Sequence, residues 1–341
     1  MWLETNESLE KRVFSEIGVV SLRKLEGGLV NSVYHVELKN GVSGVLRITD
    51  NKTEEWISKK ERAVLSHFDG FPFFPKILFH GELNELNLSF NIISFFEGDN
   101  MHTIKEIPKS KVFLCLGEIL GRIHSYKATE FGFVYDFDNI GADPRVHNSY
   151  PGPYKNGFEQ HFIPAKGWVE HLVSKRSRFS EQLRKIIVKM EEQEDLFDGG
   201  ECTYNHGDFQ FKNILTYSSR LVGIVDFDSF RYGDPASDMH LFLQNYVDKK
   251  ISKDLISSFI EGYVNIRPLP HRLFEKSVFY RCYRGIEKVI TLPIQLRYNL
   301  PEFAKPYKKK IEDFLQSIVD GSDPCMGLSY EKHIRKVDNT E

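Results

Sequence analysis

The first hundred residues alternate apolar and polar positions at strand spacing. VVSLRKLEGG, SVYHVELKN and GVLRITD are rich in Val, Leu, Ile and Tyr, with Gly27-Gly28 and Asn40-Gly41 as punctuation. An Asn-Gly step between two such runs marks a tight hairpin, so antiparallel strands are expected on either side of it. In EEWISKKERAVLSHF the period becomes helical, and Trp56, Ile57, Ala63, Val64 and Phe68 can share one side. ILFHGELNELNLSFNIISFF returns to strand period, with a turn expected near Asn84-Glu85.

After Gly98 the pattern changes again. KVFLCLGEILGRIHSY carries apolar residues at helical spacing. FGFVYDFDNIGADPRVHNSYPGPYKNG, rich in Gly, Pro, Asn and aromatics, reads as a long irregular segment of the kind that often carries binding groups. Helices are expected between Phe158 and Leu196, short strands and tight loops across CTYNHGDFQFKNILTYSSRLVGIVDFDSF, and mostly helix from there to Ile318. The pattern therefore predicts an α+β chain in two lobes. Residues 1–98 form a small antiparallel-sheet lobe, 99–325 a larger and mainly helical one, and 326–341 a polar tail, with a hinge near Phe95–Asp99.

Composition narrows the partners. The chain has 341 residues, 41% hydrophobic and 27% charged, which suits a folded core. A net charge of −3 gives no electrostatic footprint for nucleic acid or an anionic membrane. The N-terminal MWLETNESLEKR lacks the basic-then-apolar order of a signal peptide, and no apolar run approaches the ~20 residues of a membrane span. Cys115, Cys202, Cys282 and Cys325 form no close pair, so reduced thiols and a cytoplasmic protein are expected. No His-x-x-x-His zinc pair with a carboxylate and no Gly-x-Ser-x-Gly elbow occurs.

The densest chemistry lies in HGDFQFKN and IVDFDSF. Phosphoryl transfer needs a carboxylate to accept the incoming hydroxyl's proton and hard oxygen ligands to hold Mg²⁺ against the phosphates. Asp208 and Asn213 share one short loop and can face one cleft. Asp226 ends the apolar run LVGIVD, where a metal would compensate a carboxylate at a buried strand end. The residues between can form a hairpin that brings Asp226 beside Asn213. A second glycine-bearing stretch, Leu25–Ser32, connects two expected strands. Gly27 and Gly28 would let backbone N–H groups approach phosphates, with Asn31 and Ser32 as further donors. The same stretch also fits an ordinary glycine hairpin turn.

The run HGDFQFKN followed by IVDFDSFRYGDPASDM resembles the aminoglycoside phosphotransferase and choline kinase-like family, which has a protein-kinase-like fold. The shared pattern is His-Gly-Asp, four residues, Asn, then Ile-x-Asp, and later Gly-Asp-Pro with a second Asp; LGRIHSY also resembles a helix signature of the family. The resemblance covers the order of elements over most of residues 20–320. It implies Asp208 as catalytic base, Asn213 and Asp226 as Mg²⁺ ligands, His206 as a brace of the loop, and Asp234 and Asp238 as structural ties. It places Arg47 where many kinases carry a phosphate-contacting lysine, with Glu61 as its partner, although Lys59, Lys60 and Arg62 are close enough that charge alone does not fix the pairing. Phe95 and Phe96 would flank a purine at the inter-lobe linker, or simply pack a strand end. Asp228, where protein kinases have glycine, is either a second metal ligand or a hydrogen-bonding partner of the loop.

The resemblance implies ATP- or GTP-dependent, Mg²⁺-dependent phosphorylation of a small-molecule hydroxyl, such as an aminoglycoside, choline or another alcohol. A catalytically idle nucleotide-binding regulatory module and a kinase of protein hydroxyls are the alternatives. For a cationic acceptor, Asp136, Asp138, Asp143 and Glu159 are the acidic candidates, but Arg145, Lys155 and Lys166 lie in the same stretch.

Overall fold

A computed structural model describes residues 14–25, 32–50, 55–104, 108–141, 152–249, 251–298 and 301–322. Gly27, Gly28, Asn31, Asp143, Arg145, Cys325 and the 326–341 tail lie outside them. In β2 (Ser32–Leu38) and β3 (Ser43–Asp50) the apolar alternation buries Tyr34, Val36, Leu38, Leu46 and Ile48. The strands pair antiparallel around Asn40-Gly41, where the Val42 N–H donates to Asn40 Oδ1 at 3.1 Å. With β1 (Val19–Lys24), β4 (Ile77–Leu83) and β5 (Leu88–Ile93) they make a five-stranded antiparallel sheet in the order β1-β2-β3-β5-β4. Phe14, Leu88 and Ile92 complete its core, each such side chain contributing about 1.5–3 kcal/mol on burial. The turn expected at Asn84-Glu85 is a short 3₁₀ turn closed by Asn87 in the left-handed conformation.

Helix α1 (Glu55–His67) buries Ile57, Val64 and Leu65, and Phe68 follows them into the interior. Trp56 and Ala63 are only partly covered, whereas Glu61 is buried. An apolar count misses this charged member of the inner face because its burial depends on a partner elsewhere in the sheet.

Two compact units result. One comprises Met1–Ile104, Tyr135–Asn139 and Lys212–Asp228; the other comprises Lys105–Val134, Ile140–Phe211 and Ser229–Glu341. The first includes the hairpin of β10 (Ile214–Tyr217) and β11 (Arg220–Ile224), with β6 (Asp99–Asn100) paired to β10.

The second unit is mainly helical. Its elements include α2 (Ser110–Ser125), α3 (Gly157–Ser174), α4 (Ser180–Glu191), α5 (Pro235–Lys249), α6 (Lys253–Val264), α7 (Ser277–Tyr298) and α8 (Pro301–Asp320). Helices α2 and α6 approach at Gly117 and Gly262, where any Cβ would collide with the carbonyl of Phe259 or of Leu114. The core beside them is aromatic, with Phe242 stacked on Phe259 at 3.9 Å between centroids.

Part of the segment expected to be irregular is a hairpin. β7 (Gly132–Asp136) and β8 (Asn139–Gly141) flank a turn in which Asp136 accepts from the Asp138 N–H and the Asn139 amide. β7 continues through β12 (Arg231–Gly233) to β9 (Thr203–Asn205). Gly, Asn and Pro nearby make GFVYD read as part of a loop. Among the described residues Cys115, Cys202 and Cys282 are free thiols, and no helix is long and apolar enough to cross a membrane.

Candidate active site

The loop leaving β9 begins His206-Gly207-Asp208, and a buried carboxylate fixes its backbone. Asp238, in the first turn of α5, accepts the His206 N–H at 2.7 Å and the Gly207 N–H at 2.9 Å, one on each oxygen. A fully buried carboxylate requires such donors, and charge-assisted bonds to backbone N–H groups are the strong kind. Gly207 sits at φ +78°, with the Ser229 carbonyl where a Cβ would stand, so no other residue fits. The Asp208 N–H reaches His206 Nδ1 at 3.3 Å, and the Gln210 amide donates to Asp208 Oδ1. Asp208 itself is only half-buried, so part of the residue reaches solvent.

Two neighbouring networks hold this anchor. Asp234 accepts from Lys276 Nζ at 2.6 Å, from the Tyr280 hydroxyl at 3.0 Å and from the Ala236 N–H at 2.9 Å. His124 places Nδ1 2.9 Å from the Tyr263 hydroxyl and Nε2 3.4 Å from Asp238. Burial lowers the His124 pKa, against the pull of Asp238. The histidine packs and hydrogen-bonds at the end of α2.

In the first unit, Ile214 pairs with Ile224, and the Val225 N–H donates to the Asn213 carbonyl at 2.9 Å. Asn213 and Asp226 therefore stand at the same end of one hairpin. Asn213 is buried, and Asp226 is held at φ +71°, a conformation that costs a non-glycine residue ~1–3 kcal/mol and concentrates at functional sites. One carboxylate and one amide oxygen fit a Mg²⁺ shared with phosphate oxygens and water. Among the described residues no group of three or more His, Cys, Asp or Glu could hold a metal by itself.

Arg47 lies opposite Asn91 across β3 and β5. Its guanidinium pairs with Glu61 and grips Asp228 with Nη2, at 3.1 and 2.9 Å to the two oxygens. Asn91 Nδ2 donates to the other Glu61 oxygen at 2.8 Å. Burial opposes the charge on Arg47, but Asp228, Glu61 and Asp226 outweigh it and hold its pKa above the ordinary arginine value. Asp228 thus engages Arg47 through both of its oxygens. Ser32 opens β2 opposite Ile48. Phe95 meets the His35 ring edge-on at 4.4 Å, and Phe96 covers Gly223 of β11.

Two of the acidic residues expected to meet a cationic acceptor have local work. Asp136 closes the β7–β8 turn, and Glu159 sits in the first turn of α3, accepting from the Lys155 N–H at 3.1 Å. Sequence reading missed a different cluster in the second unit. His161, Arg231, His240, Gln244, Tyr283 and Arg284 surround a cavity that Gly207 also lines. Burial first, then Arg231, lowers the pKa of His161 to about 3. Burial, then Arg281 and Arg284, does the same to His240. The one local trace is the spacing of Tyr280, Tyr283, Arg284 and Glu287, which puts polar and aromatic groups on one side of α7.

Three solved structures show how the fold compares. A macrolide 2′-phosphotransferase type I superposes with a TM-score of 0.62 at 15% identity, over 90% of this chain and 97% of its own. The gentamicin complex of the aminoglycoside phosphotransferase APH(2″)-IIa gives 0.62 at 15% identity, over 90% and 95%. A thermostable mutant of aminoglycoside phosphotransferase APH(4)-Ia, in a ternary complex with ADP and hygromycin B, gives 0.58 at 17% identity, over 91% and 98%. The α+β architecture is thus the kinase-like one that the motifs imply. Comparison with curated protein sequences finds no match. The model of the phosphotransferase enzyme family, however, matches residues 21–273; it takes in the HGDFQFKN loop, the Asp226 hairpin and Arg47, and the chain belongs to that family.

Proposed function

We propose that this chain transfers the γ-phosphoryl group of ATP or GTP to a hydroxyl of a small molecule, with Asp208 as the base. The observation that carries the reading is the fixed loop. Asp238 and Gly207 immobilise the backbone immediately before Asp208 while part of that residue reaches solvent. Positioning of this kind is most of what a protein contributes to phosphoryl transfer.

Asp208 would orient the acceptor hydroxyl and take its proton as the oxygen bonds to the γ-phosphorus and the bond to the nucleoside diphosphate breaks. Asn213 and Asp226 would hold Mg²⁺, which when bound neutralises charge on the phosphates. Arg47, oriented by Glu61 and Asp228, is the residue for the donor's phosphates. Gly27, Gly28, Asn31 and Ser32 would line them, and Phe95 and Phe96 would flank the base. On this reading residues 1–98 serve the nucleotide and 99–325 serve catalysis and the acceptor. Support comes from family membership and from the neighbour that binds ADP together with hygromycin B.

The test is purified protein with ATP or GTP, Mg²⁺ and a panel of acceptors, assayed for nucleoside diphosphate and phosphorylated product. Asp208→Asn should lower kcat by about 10²–10⁴-fold and leave the melting temperature within 2 °C or so, since the side chain is half-exposed. Full turnover by that variant refutes the assignment of the base.

A further inference from the structure

The cavity beside Gly207 encloses about 30 Å³, room for roughly two water-sized groups. Three of its lining side chains each bury a nitrogen that has no hydrogen-bond partner: His240 Nε2, Gln244 Nε2 and Arg284 Nε. The Gln244 carbonyl accepts from Arg281 at 3.0 Å, which leaves the amide NH₂ as its unused end. Arg284 commits Nη1 to Glu287 and leaves Nε unused. His240 Nε2 donates or accepts according to tautomer.

The carboxylates at the cavity are occupied. Glu287 is paired with Arg284, and Asp238 holds the two backbone N–H groups of the loop. The open hydrogen-bonding capacity is therefore mostly donor. Burial first, and then the arginine charges, hold His161 and His240 neutral. Asp208 in turn acts electrostatically on Arg284, so one guanidinium lies in the field of both the cavity and the loop. Unpaired buried donors are costly, and a group that satisfies several at once is strongly preferred.

We infer that this cavity is the anchoring subsite of the acceptor and that it takes a carboxylate, so that the molecule phosphorylated is a small hydroxy acid and not a polycation. The two oxygens of a carboxylate match the two water-sized positions, and Arg284, Gln244 and His240 supply the donors. The inference rests on Asp208 as the base.

The experiment compares glycerate and a set of other hydroxy acids with choline and hygromycin B. Each is tested as an acceptor with labelled ATP and as a ligand by thermal shift. At least one hydroxy acid should be phosphorylated and should raise the melting temperature saturably. Arg284→Gln should raise its KM at least tenfold with kcat within threefold, and Arg284→Lys should recover part of the loss. Asp208→Asn should lower kcat by about 10²–10⁴-fold and keep the hydroxy-acid thermal shift. Full turnover by Asp208→Asn overturns the base. Phosphorylation of choline or hygromycin B with a KM indifferent to Arg284→Gln overturns the carboxylate subsite alone. The absence of any saturable shift with the hydroxy acids, meaning that the cavity holds only water, overturns it as well.

Discussion

Consider taking the protein from pH 7 to pH 5. His161 and His240 are buried in the second unit, each with a pKa lowered to about 3. Burial is the main cause for both, reinforced by Arg231 at His161 and by Arg281 and Arg284 at His240; Asp238 pulls weakly the other way at His161. In the unfolded chain an imidazole titrates near 6.5. Between those two values the unfolded state binds protons that the folded state does not. Stability therefore rises with pH across the window, is fully present above about 6.5, and is lost as pH falls.

Well inside the window each histidine contributes ~1.4 kcal/mol per pH unit. From pH 7 to 5 the loss is about 2 kcal/mol for each and about 4 kcal/mol for the pair, a large part of the ~5–15 kcal/mol that stabilises a typical domain. His124, also lowered by burial, adds in the same direction. Glu201 is held below the usual carboxylate range by Lys127 and Arg267 against its burial, and it begins to matter only at lower pH. The assay is urea denaturation at pH 7, 6 and 5 and fixed ionic strength. It is followed by tryptophan fluorescence, to which Trp168 contributes with its ring 5.9 Å from that of Tyr283. His240→Gln should remove about a third to a half of the pH slope. A total loss below about 1 kcal/mol between pH 7 and 5 would show that these imidazoles are not held neutral by burial.

Two further outcomes follow from buried charge. Arg47→Met leaves Glu61 and Asp228 without their guanidinium; it should cost about 3–5 kcal/mol and raise the nucleotide KM at least tenfold, and an unchanged melting temperature by calorimetry would refute the three-way ion pair. Asp234→Ala strands the buried Lys276 ammonium against the face of Phe197, 4.8 Å from the ring centre. It should cost about 3–5 kcal/mol, of which Asp234→Ala/Lys276→Met recovers at least half in urea denaturation.

What was legible in the sequence depended on where each residue's partners lie. The β2–β3 hairpin follows from alternation and an Asn-Gly turn, because both strands and the turn fall within one short window. Asn213 and Asp226 could be placed together from sequence because a single tight hairpin joins them. The pairing of Arg47 with Glu61 needed a strand and the next helix, and the sequence offered Lys59, Lys60 and Arg62 as distractions; only the register against Asn91 and burial of Glu61 select it. The grip of Asp228 on Arg47 spans 181 positions, and no local pattern reports it. The β7–β8 hairpin was hidden for a different reason. Its composition is that of a loop, and the strand is stabilised by pairing with β12, a hundred residues on.

The same distinction separates reaction from acceptor. On the proposed reading a base and the backbone that aims it must be mutually rigid, and His206, Gly207 and Asp208 are contiguous, with one buried side chain at the start of α5 as their anchor. A motif with fixed spacing is the natural record of that demand. Selecting an acceptor requires only that several side chains converge on one volume, and in the cavity inferred to anchor it α3, α5, α7 and β12 supply them from positions far apart in the chain. No spacing rule constrains such a set. Its signature is physical: buried nitrogens without partners and imidazoles kept neutral beside arginines. In an aqueous alternative those donors would simply be hydrated at the surface. Their burial around a cavity that Gly207 lines is what, on the proposed reading, ties acceptor recognition to the loop of Asp208.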